Sequence, residues 1–241
     1  MKLLRVCAEG AVTSFRYPHF IMGRHPTFEM PPPSTIYGHI CSALGRQIDP
    51  AEVRFGYSFK CEGRIQDLEH IHLVSETTGF FTMDGQRYPK RAEGNVNPFR
   101  RDLLVNPRLT LYLDRPEWLE AFRSPYFAVV LGRSQDLFAY TAINVIDAPV
   151  GAAYLEHTLL PFSFAGQNRG ISVVMPRFVD VERGREVQFE PYRMLMEAQP
   201  LSVDMPLPLD PDSPVRTIHG VARQRGILLH EFVASGATAI A

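Results

Sequence analysis

Apolar and polar residues alternate in several short segments of the chain, which is typical of β-strands with one buried face. In residues 2–9, Leu4, Val6 and Ala8 fall on the same face. Helical spacing occurs instead in residues 34–47, where apolar side chains recur every three to four positions. The pattern predicts these elements in order: strand 2–9, helix 34–47, strand 53–61, extended segment 68–75, strand 108–114, short helix 115–123 and buried strand 126–131.

This order of elements predicts the fold class. Strand, helix, strand, strand, helix, strand is the ferredoxin-like arrangement, which RNA-recognition motifs share. We expect an α+β chain with a ferredoxin-like domain at residues 1–140 that carries a long β-hairpin insertion at about 76–106. Later strand-like runs predict a smaller β-rich unit at residues 141–241, with a stiff Pro-rich linker at 206–214 and a short peripheral tail.

The predicted helix at 34–47 follows a basic, aromatic loop and a run of three prolines, Pro31 to Pro33. Proline is tolerated at a helix start because the first N–H groups have no intrahelical partner. Ser34 is the predicted N-cap. A helix N-terminus carries backbone donors and partial positive charge, so this segment indicates a phosphate site. The alternative is a common capped core helix with no ligand.

Gly38 lies one turn into the predicted helix. Glycine there costs about 1 kcal/mol relative to alanine unless something packs close to it. Two neighbours would explain it equally well: the sheet beneath the helix, or an RNA backbone outside.

Charge is distributed unevenly along the chain. The net charge is −1, which does not by itself indicate a nucleic-acid binder. Residues 1–133 nevertheless hold 17 basic against 14 acidic side chains, and residues 134–241 hold 8 against 12. Residues 86–101 contain five basic side chains and one acidic residue, Glu93. Arginine, which forks onto phosphates and stacks on bases, accounts for most of the positive charge.

The sequence gives little support for a secreted, a membrane-spanning or a metal-binding protein. No signal peptide or membrane span is predicted, and we expect a cytoplasmic protein. Cys7, Cys41 and Cys61 have no metal-ligand spacing and are expected to be reduced. His70 and His72 alternate on one strand without a nearby cysteine or carboxylate partner, so we predict no metal and no cofactor.

Three motifs together resemble a known family. They are TSFRYPHF at residues 13–20, PPPSTIYGHICSALG at 31–45 and LGRSQDL at 131–137. The chain is similar to the CRISPR-associated Cas-five family, RAMP-superfamily subunits of the type I surveillance complex Cascade. The similarity is greatest to the I-B-like branch. Motif-level support covers residues 1–140.

The resemblance implies a non-enzymatic role in antiviral defence. Family members cap the 5′ handle of CRISPR RNA and contact the backbone subunit and the large subunit of a ribonucleoprotein complex, which meets target DNA. A thumb-like hairpin reaches the RNA and the neighbouring backbone subunit. Residues 86–101 are the expected thumb of this chain.

The residues expected to bind RNA are of two kinds. Aromatic rings and guanidinium planes stack on unpaired bases, and cations and polar groups hold phosphates. The predicted stacking residues are His19, Phe20, Tyr37 and Phe99, with core packing as the alternative for Phe20 and Tyr37. The predicted phosphate-binding residues are Arg16, Arg24, His25, Ser34, Lys90, Arg91, Arg100, Arg101, Arg133, Ser134 and Gln135.

Two other functions stay open. One branch of the resembled family cleaves precursor CRISPR RNA with a Tyr-Lys-His set, and cleavage without metal needs a base, a proton donor and a cation. Here the chain has three lysines and none precedes a histidine, although Tyr37, His19 and Lys90 are available. The third function is a protein–protein adaptor, which would be insensitive to RNA and salt.

Overall fold

A computed structural model describes residues 1–20, 23–201 and 205–232, and these residues form mostly strands. The first half contains short 3₁₀ turns at Pro50–Glu52 and Pro116–Trp118. Its strands and helices are β1 (Lys2–Gly10), β2 (Val12–Thr13), β3 (Arg24–His25), α1 (Pro33–Leu44), β4 (Arg54–Lys60), β5 (Gly63–Met83), β6 (Gln86–Val105), β7 (Arg108–Leu113) and α2 (Leu119–Arg123).

The second half is built from shorter strands. Its elements are β8 (Phe138–Asp147), β9 (Val150–Gly151), β10 (Ala153–Tyr154), β11 (Thr158–Pro161), α3 (Phe162–Ala165), β12 (Ile171–Asp180), β13 (Glu186–Leu195), β14 (Leu207–Pro208), β15 (Arg216–Ile218), β16 (Val221–Arg225) and β17 (His230–Glu231). No helix among the described residues is both long and apolar enough to cross a membrane.

The central sheet has five antiparallel strands in the order β17, β4, β7, β1, β8. Val6 of β1 lies opposite Leu111 of β7 on one side and Ile143 of β8 on the other. The alternation predicted for β1 is the reason: Leu4, Val6 and Ala8 are buried on the face that α1 covers. Helix α1 connects β1 to β4, and α2 connects β7 to β8.

Helix α1 differs from its prediction at both ends. Its N-cap is Pro32, with Pro33 in the first position, so Ser34 lies inside the helix and makes no side-chain cap bond in the described structure. The predicted cap at Ser34 is therefore wrong, because the proline run itself starts the helix. The helix stops at Leu44, short of residue 47, because Gly45 takes a left-handed conformation with φ of 68°.

Strands β5 and β6 form one long hairpin that extends from Gly63 to Val105. Its turn is Asp84-Gly85 with φ of 52° and 76°, as a two-residue type I′ turn requires. The insertion predicted at 76–106 therefore begins too late in the sequence. The extended segment predicted at 68–75 is part of β5, the first strand of the same hairpin. At about 3.3 Å per residue the hairpin reaches roughly 65 Å.

The buried strand predicted at 126–131 is wrong. The structure gives these residues only an isolated bridge between Val130 and Leu137, and Tyr126 and Phe127 are exposed. Tyr126 instead packs over Gly45 at the end of α1, and its N–H donates to the carbonyl of Ala43 at 3.0 Å. The strand that takes the place of the one predicted at 126–131 is β8. The domain boundary predicted at residue 140 therefore falls inside a strand.

Residues 141–232 do not form a separate unit. Tyr192, Met194 and Phe232 belong to the same hydrophobic core as Leu4 and Phe55. A smaller cluster around Leu160 and Leu207 lies beside that core. The second half covers the first because strands that expose one apolar face stabilise each other by burying it.

The predicted linker at 206–214 is also wrong. Asp210 is 2% exposed. Its carboxylate accepts hydrogen bonds from Arg5 at 3.0 Å, Arg225 at 2.9 Å and Tyr112 at 2.7 Å. These bonds hold the segment against the sheet. The segment after the predicted linker is not a peripheral tail, because its strand β17 pairs with β4 of the central sheet. Residues 233–241 lie outside the described residues.

Candidate functional site

A cleft of 380 Å³ opens at the N-terminal end of α1. Five parts of the chain meet there: the loop after β2, the start of α1, the base of the long hairpin, the turn at 132–136 and the β12–β13 hairpin. The cleft is lined by Ser14, Phe15, Arg16, Pro18, Pro32, Ser34, Thr35, Arg101, Gly132, Arg133, Pro176, Val179 and Val187. None of these lining residues, all of them described, is acidic.

One wall of the cleft is basic and is held together by Glu69 of β5. The Nε of Arg101 donates to one carboxylate oxygen of Glu69. The other oxygen accepts from Arg133 and from Gln135, each at 3.3 Å. Burial favours a neutral Glu69, but its hydrogen bonds and the charges of the two arginines outweigh burial, so its pKa is lowered. Glu69 thus stays ionised and fixes both guanidinium groups.

Asp136 holds the turn from behind the same wall. Its carboxylate is buried and accepts from the guanidinium of Arg133 at 2.7 and 3.0 Å, and from the N–H groups of Arg133 at 2.9 Å and Ser14 at 3.2 Å. Gly132 has a φ of 104°, and a Cβ there would collide with Thr13 and Ser14. The predicted motif at 131–137 is therefore a rigid turn that aims Arg133 into the cleft.

The other wall is apolar and comes from the second half of the chain. Pro176 and Val179 of β12 and Val187 of β13 face the basic wall. No role is predicted for them from the sequence; the only signal is that residues 171–174 and 187–189 read as strands. Sequence reasoning also missed Glu69 and Asp136, because Glu69 binds the distant Arg133 and Asp136 binds the distant Ser14.

Two predicted residues, Arg24 and His25, serve the base of the hairpin. Arg24 forms an ion pair with the fully buried Asp102 at 3.0 Å, although its own side chain is largely exposed. Asp102 also accepts from Gln66 at 3.0 Å. His25 is buried, accepts from Arg101 at 3.0 Å and stacks on Phe99 with ring centroids 4.6 Å apart.

Phe99 and Tyr37 do not present stacking faces to solvent. Phe99 is buried against His25. Tyr37 packs edge-on against Phe178 and Phe232, both with centroids at 5.4 Å, and its hydroxyl donates to the carbonyl of Ile48. Burial, with a smaller contribution from Cys41, raises the pKa of Tyr37. The core-packing alternative is therefore correct for Tyr37, and neither ring has an open face for the stacking predicted from the sequence.

The loop after β2 presents an exposed group of side chains at the mouth of the cleft. Arg16 is exposed and lines the cleft, and no described carboxylate pairs with it. His19 and Phe20 are exposed beside Tyr17, with all three ring centroids 6.1 Å apart. The core alternative is therefore wrong for Phe20. Ser34 lies half-exposed in the cleft, and Ser134 is exposed in the turn.

The basic run at 86–101 divides into two zones. Arg100 and Arg101 lie at the base of the hairpin beside Arg24 and His25 of β3. Lys90 and Arg91 lie nine or more residues further out, roughly 30 Å away along the strand. Lys90 pairs with Glu93 at 2.8 Å. Within the described chain, neither Arg91 nor Arg100 has an ion-pair partner.

The outer part of the hairpin exposes aromatic and aliphatic side chains, and we name residues 70–98 the arm. Phe81 stacks on Tyr88 with centroids 5.5 Å apart, and Arg87 lies 4.2 Å from the centre of the Phe80 ring. Exposed apolar patches of this kind mark interaction surfaces. The exposed apolar side chains of the arm are Leu73, Val74, Phe80, Phe81, Met83, Tyr88 and Val96.

Tyr37, His19 and Lys90 do not assemble into a catalytic group. Tyr37 is buried with its hydroxyl bound to a backbone carbonyl, His19 lies on the exposed loop, and Lys90 is on the arm. Across residues 1–20, 23–201 and 205–232, no three His, Cys, Asp or Glu side chains are grouped to hold a metal ion.

The two walls suit one kind of ligand. A chain of phosphates would lie against Arg16, Arg101 and Arg133 and the start of α1, and planar apolar groups would lie against Pro176, Val179 and Val187. Because Glu69 and Asp136 neutralise part of this charge from behind, Arg16 carries the cleft's uncompensated cation.

Comparisons with known proteins give the following findings. The family model described as CRISPR-associated protein (Cas_Cas5) matches residues 3–198. No curated protein sequence matches the chain. Similar solved structures include a chain of a CRISPR RNA-guided surveillance complex, with 20% identity, a TM-score of 0.48, and coverage of 83% of this chain and 89% of that one. A CRISPR protein from Archaeoglobus fulgidus has 12% identity, a TM-score of 0.43, and coverage of 82% and 87%. A chain of Type III-B Cmr-beta bound to cognate target RNA and AMPPnP has 12% identity, a TM-score of 0.44, and coverage of 83% and 86%.

Proposed function

Because the chain belongs to the Cas-five (Cas5) family of CRISPR-associated proteins, we propose that it binds the 5′ handle of CRISPR RNA in the cleft. It does so as a non-catalytic subunit of a Cascade-type complex. The observation that carries this proposal is the cleft itself, with three arginines on one wall and an apolar β-hairpin on the other. Single-stranded RNA is bound by cations that contact its phosphates together with side chains that contact its bases.

The sheet supports binding at the cleft rather than on the open face that RNA-recognition motifs use. If β1, β4, β7 and β8 are numbered one to four, their order along the sheet is two, three, one, four. This order supports the predicted ferredoxin-like arrangement. The face opposite α1 is partly covered by the second half of the chain. There Ile227 packs with Leu3 and Tyr112, and Asp210 binds Arg5. The RNA is therefore received on the side of α1.

The arm is the part of the chain that reaches the neighbouring subunits. A two-stranded ribbon with both faces in solvent is marginally stable alone, and its exposed aromatic side chains are suited to the buried centre of an interface. The arm contacts the backbone subunit next to this chain, and Arg91 contacts its RNA. The large subunit joins at the cleft end, and target DNA is met only through these partners.

The test is a titration of fluorescently labelled handle RNA with the protein or its subcomplex at increasing salt. Each phosphate contact contributes about −0.7 to the slope of log K against log salt for a single strand. We expect Arg16→Gln to weaken binding and to make the slope shallower by about 0.7. Arg123→Gln is the matched control, because Arg123 is exposed and its ion pair is with the exposed Glu120.

A flat salt response, or identical binding by Arg16→Gln, would contradict the proposal and favour the adaptor function. The same samples test for chemistry. Precursor CRISPR RNA incubated with the protein without metal should stay intact. Site-specific cleavage that His19→Ala or Lys90→Ala abolishes while RNA binding is kept would establish the nuclease instead, since losing a general base costs about 10²–10⁴-fold in rate.

A further inference from the structure

A second cavity lies along the outer side of α1. It measures 490 Å³ and shares Ser34 and Val179 with the cleft, so the two cavities adjoin at the start of the helix. We name it the helix groove. Its further lining residues are Tyr37, Gly38, Cys41, Ser42, Gly45, Arg46, Gln47, Phe127, Val181 and Arg185.

The walls of the helix groove are apolar and its rim is basic. Phe127 is 57% exposed and Val181 is 46% exposed, although both line a recess. Arg46 is paired with Glu52 at 2.8 Å, whereas Arg185 has no ion-pair partner in the described chain. The residues that line the helix groove, all described, include two arginines and no carboxylate. This charge favours an anionic ligand with an apolar part over an apolar or basic peptide.

Gly38 of α1 lines the helix groove and is exposed. Outside its own helix and chain neighbours, no described atom lies within 4 Å of the position that a Cβ would take. The sheet beneath therefore does not account for a glycine in the middle of a helix, which leaves the space outside α1 as the explanation. That space gives a ligand direct access to the helix backbone.

We propose that the helix groove receives one unpaired base of the RNA that the cleft binds, with the base against Phe127 and above Gly38. This rests on the proposed function and deepens it. The RNA backbone passes Ser34, which belongs to both cavities, and its next phosphate faces Arg185 and Arg46. Two observations select a nucleotide as the occupant: the groove adjoins the cleft at Ser34 and Val179, and its described lining has no carboxylate.

The test combines a variant that adds a side chain at Gly38 with RNA that lacks one base. Gly38→Leu places a side chain into open space, so we expect an unchanged or raised Tm, since leucine favours a helix more than glycine does. We expect its affinity for handle RNA to fall about tenfold, with the salt slope unchanged. A series of RNAs, each abasic at one position, should contain one that binds wild type about tenfold more weakly and is not weakened further by Gly38→Leu.

Phe127→Ala should behave as Gly38→Leu does toward the same abasic RNA. Arg123→Leu, which adds an exposed leucine to α2 away from both cavities, is the matched control and should leave binding unchanged. Equal binding by Gly38→Leu, with Arg16→Gln still impaired, would overturn the helix groove proposal and leave the cleft proposal standing. Loss of association with another subunit of the complex, with RNA binding unchanged, would make the helix groove a protein-docking site and would equally overturn it. Absence of RNA binding by wild type would overturn both proposals.

Discussion

In the cleft, Arg101 and Arg133 are buried or half-buried and turned toward Glu69 and Asp136. On the arm, Arg87 and Arg91 are exposed; Arg87 lies over a phenylalanine ring, and Arg91 pairs with no described carboxylate. The same type of residue therefore has two tasks in neighbouring parts of one chain. Arg101 and Arg133 fix the surface of the cleft in place, whereas the arginines on the arm leave their charge available to a partner.

This difference shows why counting basic residues overestimates an RNA site. Arg101 and Arg24 were both predicted to bind phosphates, and both have internal carboxylate partners in the fold. A buried ion pair contributes little net stability, yet removing one partner leaves a buried charge uncompensated. Arg101 and Arg133 are therefore expected to affect folding first, whereas the exposed Arg16 and the arginines on the arm are expected to affect binding.

Asp136→Ala tests the structural role of the cleft's arginine network. It removes a buried carboxylate that accepts from Arg133 and from two backbone N–H groups. We expect the free energy of unfolding to fall by about 3 kcal/mol, the range for breaking a buried pair from one side. Chemical denaturation measures it. Glu120→Ala, which breaks the exposed pair with Arg123, should change stability by less than about 0.5 kcal/mol; equal effects would contradict the difference between the two kinds of pair.

We expect the contribution of Glu69 to stability to be lost in acid. Its folded pKa is lowered below 4.5, so its contribution is present above pH 4.5 and is lost as pH falls through the folded pKa. Glu69→Gln should therefore be less stable than wild type at neutral pH, and the gap should narrow below pH 4.5. His230, whose pKa burial lowers to about 4, adds an acid loss below pH 6.5 that is common to both proteins. A gap constant from pH 7 to pH 3 would contradict this role.

Substitutions in the hairpin should separate binding from folding. Neither Arg91 nor Arg100 has an ion-pair partner in the part of the chain that the structure describes. Arg91→Glu combined with Arg100→Glu should therefore change the free energy of unfolding by only about 0.5 kcal/mol. Stable RNA-bound complex should nevertheless be lost, as gel filtration with the partner subunits would show. A double variant that assembles normally would refute the assignment of this hairpin as the thumb.

The sequence predicted some parts of the fold and the site well and others poorly, for physical reasons. Local patterns located β1, α1, β4 and β7, because alternation and helical spacing reflect burial directly. The buried strand at 126–131 was wrong because Tyr126 and Phe127 are apolar yet serve the end of α1 and the helix groove. Tyr37 is consistent in sequence with a core or a binding residue, and its contacts with Phe178, Phe232 and Ile48 show that it belongs to the core.

The second half of the chain was the least predictable. Its short strands pair across long stretches of sequence, as when β17 joins β4 and Asp210 binds Arg5, and no local pattern specifies such contacts. The apolar wall of the cleft was missed for this reason. The hairpin turn, in contrast, has a local signal in Asp84-Gly85, since this dipeptide is typical of type I′ turns.

The central claim is that RNA lies between the basic and apolar walls of the cleft. Ultraviolet crosslinking of the assembled complex with handle-bearing RNA, followed by mass spectrometry of the crosslinked peptides, tests it most directly. We expect crosslinks from handle nucleotides to both walls, at residues 14–20 on one side and 174–189 on the other. Crosslinks confined to the arm, or to the face of the sheet opposite α1, would contradict the claim.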